Sequence, residues 1–262
     1  MSNMSNMSNM SNMSNMSNMS NMFTVSNPSN MTEPTKLFLD IMIVVAVTGL
    51  VFVLEDLAIT QGWIPFATEI RGAISVLAGA FAAVGVILAR GGTLADLGFR
   101  RPERWAVVPF QVAVILVAFI AAQSLAPLLI SVFIDLPEPN LSRYDSISGN
   151  LGAAIGMALI LPLTASIPEE VIYRGFLIGR LSEIFERDAS GAFMAVLVQA
   201  LVFGSVPFQW GIGDMIMTFL MGIVWGTAYL LCGRNLWIVI LAHSAGHILL
   251  VTQLYLGVSI IV

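Results

Sequence analysis

Charged residues and cysteine are both scarce in this chain, and each shortage excludes a class of protein. Only 10% of the 262 residues are charged and 57% are hydrophobic, whereas soluble domains average about 25% charged residues. The single cysteine, Cys232, excludes an internal disulfide framework and any cysteine-rich metal cluster. We interpret it as a small core residue in a helix. The composition therefore predicts a polytopic membrane protein.

Apolar stretches divide the chain into candidate membrane helices, because a helix needs about 20 apolar residues to span a bilayer. We predict an all-α bundle of seven or eight transmembrane helices. The count depends on the last stretch, which can form one long helix or two short ones broken near Gly246 or Gly257. The candidates are Leu37–Leu54, Gly72–Ala89, Trp105–Leu129, Leu151–Ala165, Ala189–Phe203, Met215–Leu231 and residues 236–262.

The N-terminal segment 1–32 is dominated by a Met-Ser-Asn repeat. It has no basic region followed by an apolar region, so it does not resemble a signal peptide. It also has no apolar face to bury, and we predict a disordered tail without an assigned function. Residues 33–262 then form the transmembrane helical domain.

The basic residues predict the orientation of the helices. Nine of the eleven lie on one side of the predicted topology, at Lys36, Arg90, Arg100, Arg101, Arg104, Arg174, Arg180, Arg187 and Arg234. The positive-inside rule makes that side cytoplasmic. The opposite loops carry mostly acidic residues, at Glu55, Asp56, Glu69, Asp135, Glu138 and Asp145, against Arg71 and Arg143. We expect an integral protein of a bacterial inner membrane with a cytoplasmic N-terminus.

A charged motif, Glu169–Arg174 (EEVIYR), is placed between two apolar stretches. Each such group costs about 2.5–3.5 kcal/mol to insert into a membrane. Glu170 precedes Arg174 by four residues, the favourable order for an ion pair on a helix. Glu169 has no cation at helical spacing and is therefore the candidate proton acceptor. A purely structural alternative is a capping box from Ser166 to Glu169, with Pro168 in the first turn of a new helix.

The two histidines, His243 and His247, are the only ones in the chain and are four residues apart. On a helix both rings project from one face, where they can bind one divalent metal. The alternative is a pair of buried histidines with ordinary hydrogen-bond partners. If each costly group needs a polar neighbour, Glu169 and His243 should share one cavity between the fourth and seventh helices.

Taken together, these motifs resemble the CAAX protease and bacteriocin-processing (CPBP, or ABI) family of membrane endopeptidases. Glu169–Leu177 (EEVIYRGFL) is similar to its first motif, and Leu97–Pro102 (LGFRRP) to a short loop that often precedes the core. The likeness covers roughly residues 70–250, with its core at about 150–250. It implies that Glu169 activates a water, that Glu170 and Arg174 form a structural pair, and that His243 is a catalytic or metal-binding residue.

The chain departs from the family pattern in two places. The second motif aligns with Phe203–Pro207 (FGSVP), where Pro207 replaces a histidine. The third motif ends in His247, where the family commonly has asparagine. Glu169, His243 and His247 could still hold one divalent metal, with zinc the first choice, or the site could work without a metal.

The first hypothesis is therefore an intramembrane endopeptidase of the CPBP type, in which a Glu-activated water cleaves a peptide bond. The alternative is a catalytically impaired relative that acts as a membrane scaffold or binds a membrane-protein partner. A transporter has less support, because no inverted repeat is visible. The expected partners are the lipid bilayer and a peptide or membrane-protein substrate. Nucleic acid is not expected, since the Arg100, Arg101 and Arg104 cluster is typical of a cytoplasmic loop.

Overall fold

The computed structural model describes residues 33–63, 72–132, 144–185 and 188–258. These ranges hold seven apolar helices and confirm an all-α polytopic membrane fold. The predicted tail 1–32 and the loop residues Glu69, Arg71, Asp135, Glu138, Arg143 and Arg187 lie outside the described residues. The helices are α1 (Glu33–Thr60), α2 (Ala73–Ala89), α3 (Val108–Ile130), α4 (Leu151–Ile184), α5 (Ala189–Ser205), α6 (Ile212–Leu231) and α7 (Leu236–Leu256).

Five of these helices are long and apolar enough to cross a membrane, and the exceptions are α2 and α5, with 17 residues each. Within the described residues, the last apolar stretch forms one helix and not two. It continues through Gly246 and ends at Leu256, and the next residue, Gly257, has a φ of 64° in the left-handed region. The amide of Val258 then donates to the carbonyl of Gln253, a helix ending that glycine favours.

Polar side chains define where several helices begin. A side-chain oxygen accepts a backbone N–H in the first turn of α4, α5 and α7, as is usual for an N-cap. In α5 the N–H of Gly191 donates to Asp188 and lowers the pKa of that carboxyl below its usual value. The capping residues are Asn150, Asp188 and Asn235.

The far end of α1 carries a buried carboxylate with a clear structural role. Glu55 accepts the backbone N–H groups of Gly72 at 3.1 Å and Ser75 at 3.2 Å. Gly72 directly precedes α2 and Ser75 lies in its first turn, where the helix dipole favours a negative charge. Glu55 therefore fixes the hairpin formed by α1 and α2.

Helix α4 is longer than the sequence predicted. It does not end at Ala165 but continues to Ile184, so that Glu169 and Glu170 lie inside it. Two π-helical segments, Pro162–Ser166 and Glu170–Ile178, carry the backbone past Pro162 and Pro168. Local widening of this kind lets a membrane helix tolerate proline, because the displaced backbone groups find new partners. Since the chain is helical at Ser166 and its side chain makes no cap, the capping-box alternative is wrong.

Helices α5 and α6 pack closely because each has small residues at the contact. A Cβ added to Gly222 of α6 would lie 2.7 Å from the Cα of Ala200 in α5. A Cβ added to Gly204 of α5 would lie 2.7 Å from the Cβ of Phe219 in α6. Small residues at such contacts allow two membrane helices to approach. This pair supports one side of the polar site described below.

This packing predicts opposite outcomes for two glycine substitutions. Gly222→Ala should lower the free energy of unfolding by about 1–3 kcal/mol, the usual cost of overpacking, because the new methyl group meets backbone atoms. The measurement is the melting temperature in detergent. Gly49→Ala is the matched control, since Gly49 lies in α1, is exposed and has no atom within 4 Å of an added Cβ. Alanine should be neutral or favourable there. Equal melting temperatures for the two variants would contradict the close α5–α6 contact.

Candidate active site

The carboxylate of Glu170 is the central group of a polar site buried between α4 and α7. Its Oε1 accepts a hydrogen bond from Arg174 Nη1 at 3.0 Å and lies 2.8 Å from His243 Nδ1. Glu170 and Arg174 are fully buried, and His243 is 2% exposed. The predicted contact between Glu170 and Arg174 is therefore present, and His243 joins it. From the sequence we predict that His243 contacts Glu169 and not Glu170, because Glu170 already has Arg174 as an ion-pair partner.

This contact determines which ring nitrogen of His243 carries hydrogen. An ionised carboxylate can only accept, so Nδ1–H donates to Glu170 and Nε2 faces the other way. A carboxylate that binds one imidazole nitrogen also fixes the orientation of the ring, as an aspartate does in hydrolase triads. Glu170 is thus a positioning residue for His243 as well as the partner of Arg174.

Glu169 lies on the other side of the same imidazole. Its Oε2 is 3.9 Å from His243 Nε2, and its side chain is 21% exposed. The two atoms are too far apart for a direct hydrogen bond, and close enough for one water molecule to contact both. The structure thus brings the two residues predicted to be catalytic into one polar site. Their roles stay a prediction from the sequence.

Aromatic rings cover the cation of this site. The guanidinium carbon of Arg174 is 4.7 Å from the ring centroid of Phe203 in α5. The ring of Tyr173 is also 4.7 Å from that of Phe203. A desolvated cation over an aromatic face gains roughly 2 kcal/mol or more. Phe203 is the first residue of the second family motif, so this part of the motif keeps a contact with the first.

The last residue of the second motif offers no chemistry. Pro207 follows the end of α5 in a turn and is buried. Proline has no side-chain donor, acceptor or titratable group. Any contribution that a histidine makes at this position in the family must come from another residue or be lost.

His247 has a partner that the sequence argument did not predict. Its Nδ1 is 2.8 Å from the hydroxyl oxygen of Ser166, which is fully buried in α4 one turn before Glu169. The rings of His243 and His247 lie 4.6 Å apart. The only sequence signal for Ser166 was its resemblance to a helix cap. Its position three residues before Glu169 in a continuous helix would have suggested that it faces the same site.

The predicted metal-binding set of Glu169, His243 and His247 is not assembled. In the part of the chain that the structure describes, no three His, Cys, Asp or Glu side chains converge to hold a metal ion. Of the three predicted ligands, Glu169 and His243 have the closest pair of atoms, with Glu169 Oε2 3.9 Å from His243 Nε2. A catalytic zinc ion takes three protein ligands. The residues present do not fit that set, so no step below depends on a metal.

A tryptophan that the sequence argument missed forms one wall of the site. The ring of Trp225 stacks on His243 with centroids 5.4 Å apart, and Phe119 stacks on Trp225 at 5.1 Å. Trp225 is fully buried in the middle of α6. Tryptophan in membrane helices is enriched near the interfaces. The position of Trp225 in the middle of a predicted membrane helix is therefore the sequence feature that indicates a packing role.

Several buried polar atoms near these residues make no hydrogen bond within the described ranges. They include Glu170 Oε2, Arg174 Nη2 and Trp225 Nε1. Buried polar groups are usually satisfied by protein or by ordered water. Their number around one carboxylate cluster indicates a site suited to holding water.

The C-terminal part of the chain matches a known protein family. Residues 151–249 match the model of the type II CAAX prenyl endopeptidase Rce1-like family. Over these residues the chain is similar to that family. The match starts at the first residue of α4 and ends within α7, so it contains Glu169, Glu170, Arg174, His243 and His247.

This likeness is consistent with the CPBP resemblance, and most members of the matched family are proteases. No curated protein and no solved structure matches the chain. The family match therefore supports a membrane-embedded protease in general, while the roles of individual residues depend on the geometry described above.

The buried ion pair predicts a division between folding and chemistry within the first motif. Arg174→Ala leaves the Glu170 carboxylate uncompensated, which costs about 3–5 kcal/mol for a buried pair. We expect a much lower folded yield in membranes than for Glu169→Ala, because Glu169 is partly exposed and has no arginine partner within 4 Å in the described ranges. The measurement is the monodisperse fraction after detergent extraction.

Arg174→Lys is the control for that experiment. It keeps the charge but not the planar guanidinium that contacts both Glu170 and Phe203, so its yield should fall between the wild type and Arg174→Ala. Equal yields for Arg174→Ala and Glu169→Ala would contradict this division.

Proposed function

We propose that the chain is an intramembrane endopeptidase of the CPBP type, in which Glu169 activates a water that attacks a peptide carbonyl. The observation that carries the proposal is the position of Glu169 Oε2, 3.9 Å from the nitrogen of an imidazole that Glu170 orients. At this separation, one water beside the pair can lie within hydrogen-bond distance of both atoms. Glu169 is not needed to compensate Arg174, because Glu170 already does so.

In this scheme Glu169 takes a proton from water as the water oxygen bonds to the carbonyl carbon. The carbonyl π electrons move to oxygen and form an oxyanion. When the oxyanion collapses, the C–N bond breaks and the amine leaves with the proton that Glu169 held. General base catalysis of this kind contributes about 100-fold to 10,000-fold.

The histidines are suited to stabilising the oxyanion. When His243 takes up a proton from solvent at Nε2, the Glu170 carboxylate compensates the added charge, and the Nε2–H can donate to an oxygen beside Glu169. When Ser166 donates to His247 Nδ1, the hydrogen of that ring is on Nε2, which becomes a second donor. His247 then supplies an N–H where the family commonly has the amide of asparagine.

The substrate class follows from the surroundings of the site. The site lies within apolar spanning helices, and Glu169 is its partly exposed carboxylate. A peptide segment that reaches the membrane from the cytoplasmic side fits this placement. Since the matched family model is named for CAAX prenyl endopeptidases, a prenylated C-terminal peptide is the first substrate to test.

The second candidate is a relative without protease activity that holds a membrane-protein partner. Pro207 favours it, because a buried proline cannot replace the chemistry of the family's histidine. The two functions differ in one measurable respect, which is whether the purified chain cleaves any peptide.

The proposed base predicts a large activity loss without a loss of folding. Glu169→Gln keeps the shape of the side chain and removes its basicity. It should lower the cleavage rate at least about 100-fold. The assay incubates full-length protein in vesicles with prenylated and unprenylated peptides in ¹⁸O-labelled water. Mass spectrometry should find one ¹⁸O at each new carboxyl terminus.

Glu103→Gln is the matched control, since Glu103 is an exposed acid in the loop before α3 and lies outside the site. It should cleave at the wild-type rate. Cleavage by the wild type with full retention in Glu169→Gln would overturn the assignment of the base. Absence of cleavage in a folded wild type, across both peptide classes, would favour the non-catalytic function.

His247 gives a second, independent prediction about the same site. His247→Asn keeps a side-chain N–H and restores the residue common in the family, so activity should stay within about tenfold of wild type. His247→Leu removes the donor and should cost roughly 100-fold or more, as for other oxyanion donors. Equal activities of the two variants would exclude a donor role for His247.

A further inference from the structure

A second polar cavity lies at the end of the bundle where α2 and α4 finish. It has a volume of about 480 Å³, and its lining shares no residue with the site around Glu170. Four arginines from separate parts of the chain line it, together with the carboxylates Asp96 and Glu183. The arginines are Arg90, Arg100, Arg180 and Arg234.

Two of these arginines are held by acidic residues. Asp40 binds Arg90 at 2.6 Å and Arg180 at 3.1 Å, and Glu183 is 3.7 Å from Arg180. Asp96 accepts hydrogen bonds from the backbone N–H and the hydroxyl of Thr93, so its carboxylate stabilises the turn in which both residues lie. Four guanidinium groups against the carboxylates of Asp40, Asp96 and Glu183 leave one net positive charge.

The other two arginines keep donors available. Arg100 uses its Nε for the carbonyl of Ala95, and Arg234 uses Nη2 for the hydroxyl of Ser182. Within the described ranges, their remaining guanidinium N–H groups have no protein acceptor. Paired guanidinium groups present the fork of donors that matches phosphate oxygens.

The position of the cavity indicates which kind of anion it can bind. Its walls are the ends of α2 and α4 and the turns after Ala89 and Leu231, so it lies where spanning helices leave the membrane. These are the same basic segments that the positive-inside rule assigns to the cytoplasmic leaflet. Anionic headgroups are concentrated there, and basic pockets between helices on that side bind them.

We propose that this cavity binds the phosphate of an anionic phospholipid headgroup. Free inorganic phosphate shares the chemistry but not the membrane location. The proposal does not depend on the protease activity, because the cavity is separate from the residues that would carry it.

The test measures lipid retention by native mass spectrometry of the full chain in detergent. Wild type should retain phosphatidylglycerol in preference to phosphatidylcholine. Arg100→Gln should weaken phosphatidylglycerol binding about fivefold, the effect of one charge near a membrane surface. The double variant Arg100→Gln/Arg234→Gln should weaken it about 25-fold, and Arg100→Lys should lie between wild type and Arg100→Gln.

The matched control is Arg101→Gln/Arg104→Gln. These two arginines are exposed in the same loop as Arg100 but do not line the cavity. The control should bind phosphatidylglycerol within about twofold of wild type. An equal loss in the control, or equal retention of the two lipids by wild type, would overturn a specific site.

Two further measurements keep the result interpretable. Melting temperatures without added lipid show whether each variant is folded, and Arg100→Gln carries the test alone if the double variant is not. Competition by millimolar inorganic phosphate distinguishes the sources. No competition supports a lipid headgroup, and full competition overturns the lipid assignment in favour of the free anion.

Discussion

The site depends on one oxygen atom, Glu170 Oε1, which both Arg174 and His243 contact in a fully buried environment. A lone carboxylate or guanidinium at this depth would be strongly unfavourable. The shared contact compensates the charges of Glu170 and Arg174, and it also joins α4 to α7. It also fixes the imidazole ring, because the nitrogen bound to Glu170 must carry hydrogen. The residue that makes the charges tolerable in the membrane is therefore also the residue that orients the imidazole of His243.

The π-helical form of α4 presents these groups to the bundle. A regular helix has 3.6 residues per turn, and the wider segment Glu170–Ile178 turns more slowly, so each side chain is displaced from its regular position. All nine residues of that segment are buried. Stretches of π-helix are rare and often occur at functional sites. In α4 such a stretch begins directly after Glu169, and Phe203 and Trp225 close the site from neighbouring helices.

Local patterns predicted much of this arrangement. Apolar length gave the helices, and four-residue spacing gave the contact between Glu170 and Arg174. The contacts of His243 with Glu170 and of Ser166 with His247 join residues more than 70 positions apart. Local sequence patterns cannot predict contacts between residues so far apart in the chain. The end of α4 was misplaced because Pro162 and Pro168 suggest a break, whereas π-helical backbone absorbs both.

The two departures from the family pattern bear differently on function. Pro207 lacks the ring nitrogens of the histidine that the family has at this position. His247 still has a side-chain N–H, as the family's asparagine does, and its ring contacts Ser166. A scaffold would need Glu170, Arg174 and Phe203, since these satisfy the buried charges and link the helices. It would not need Glu169, a second carboxylate that raises the negative charge of an apolar region without an arginine of its own. This difference supports the proposed role of Glu169 in proton transfer, because its Oε2 lies 3.9 Å from the imidazole that Glu170 orients.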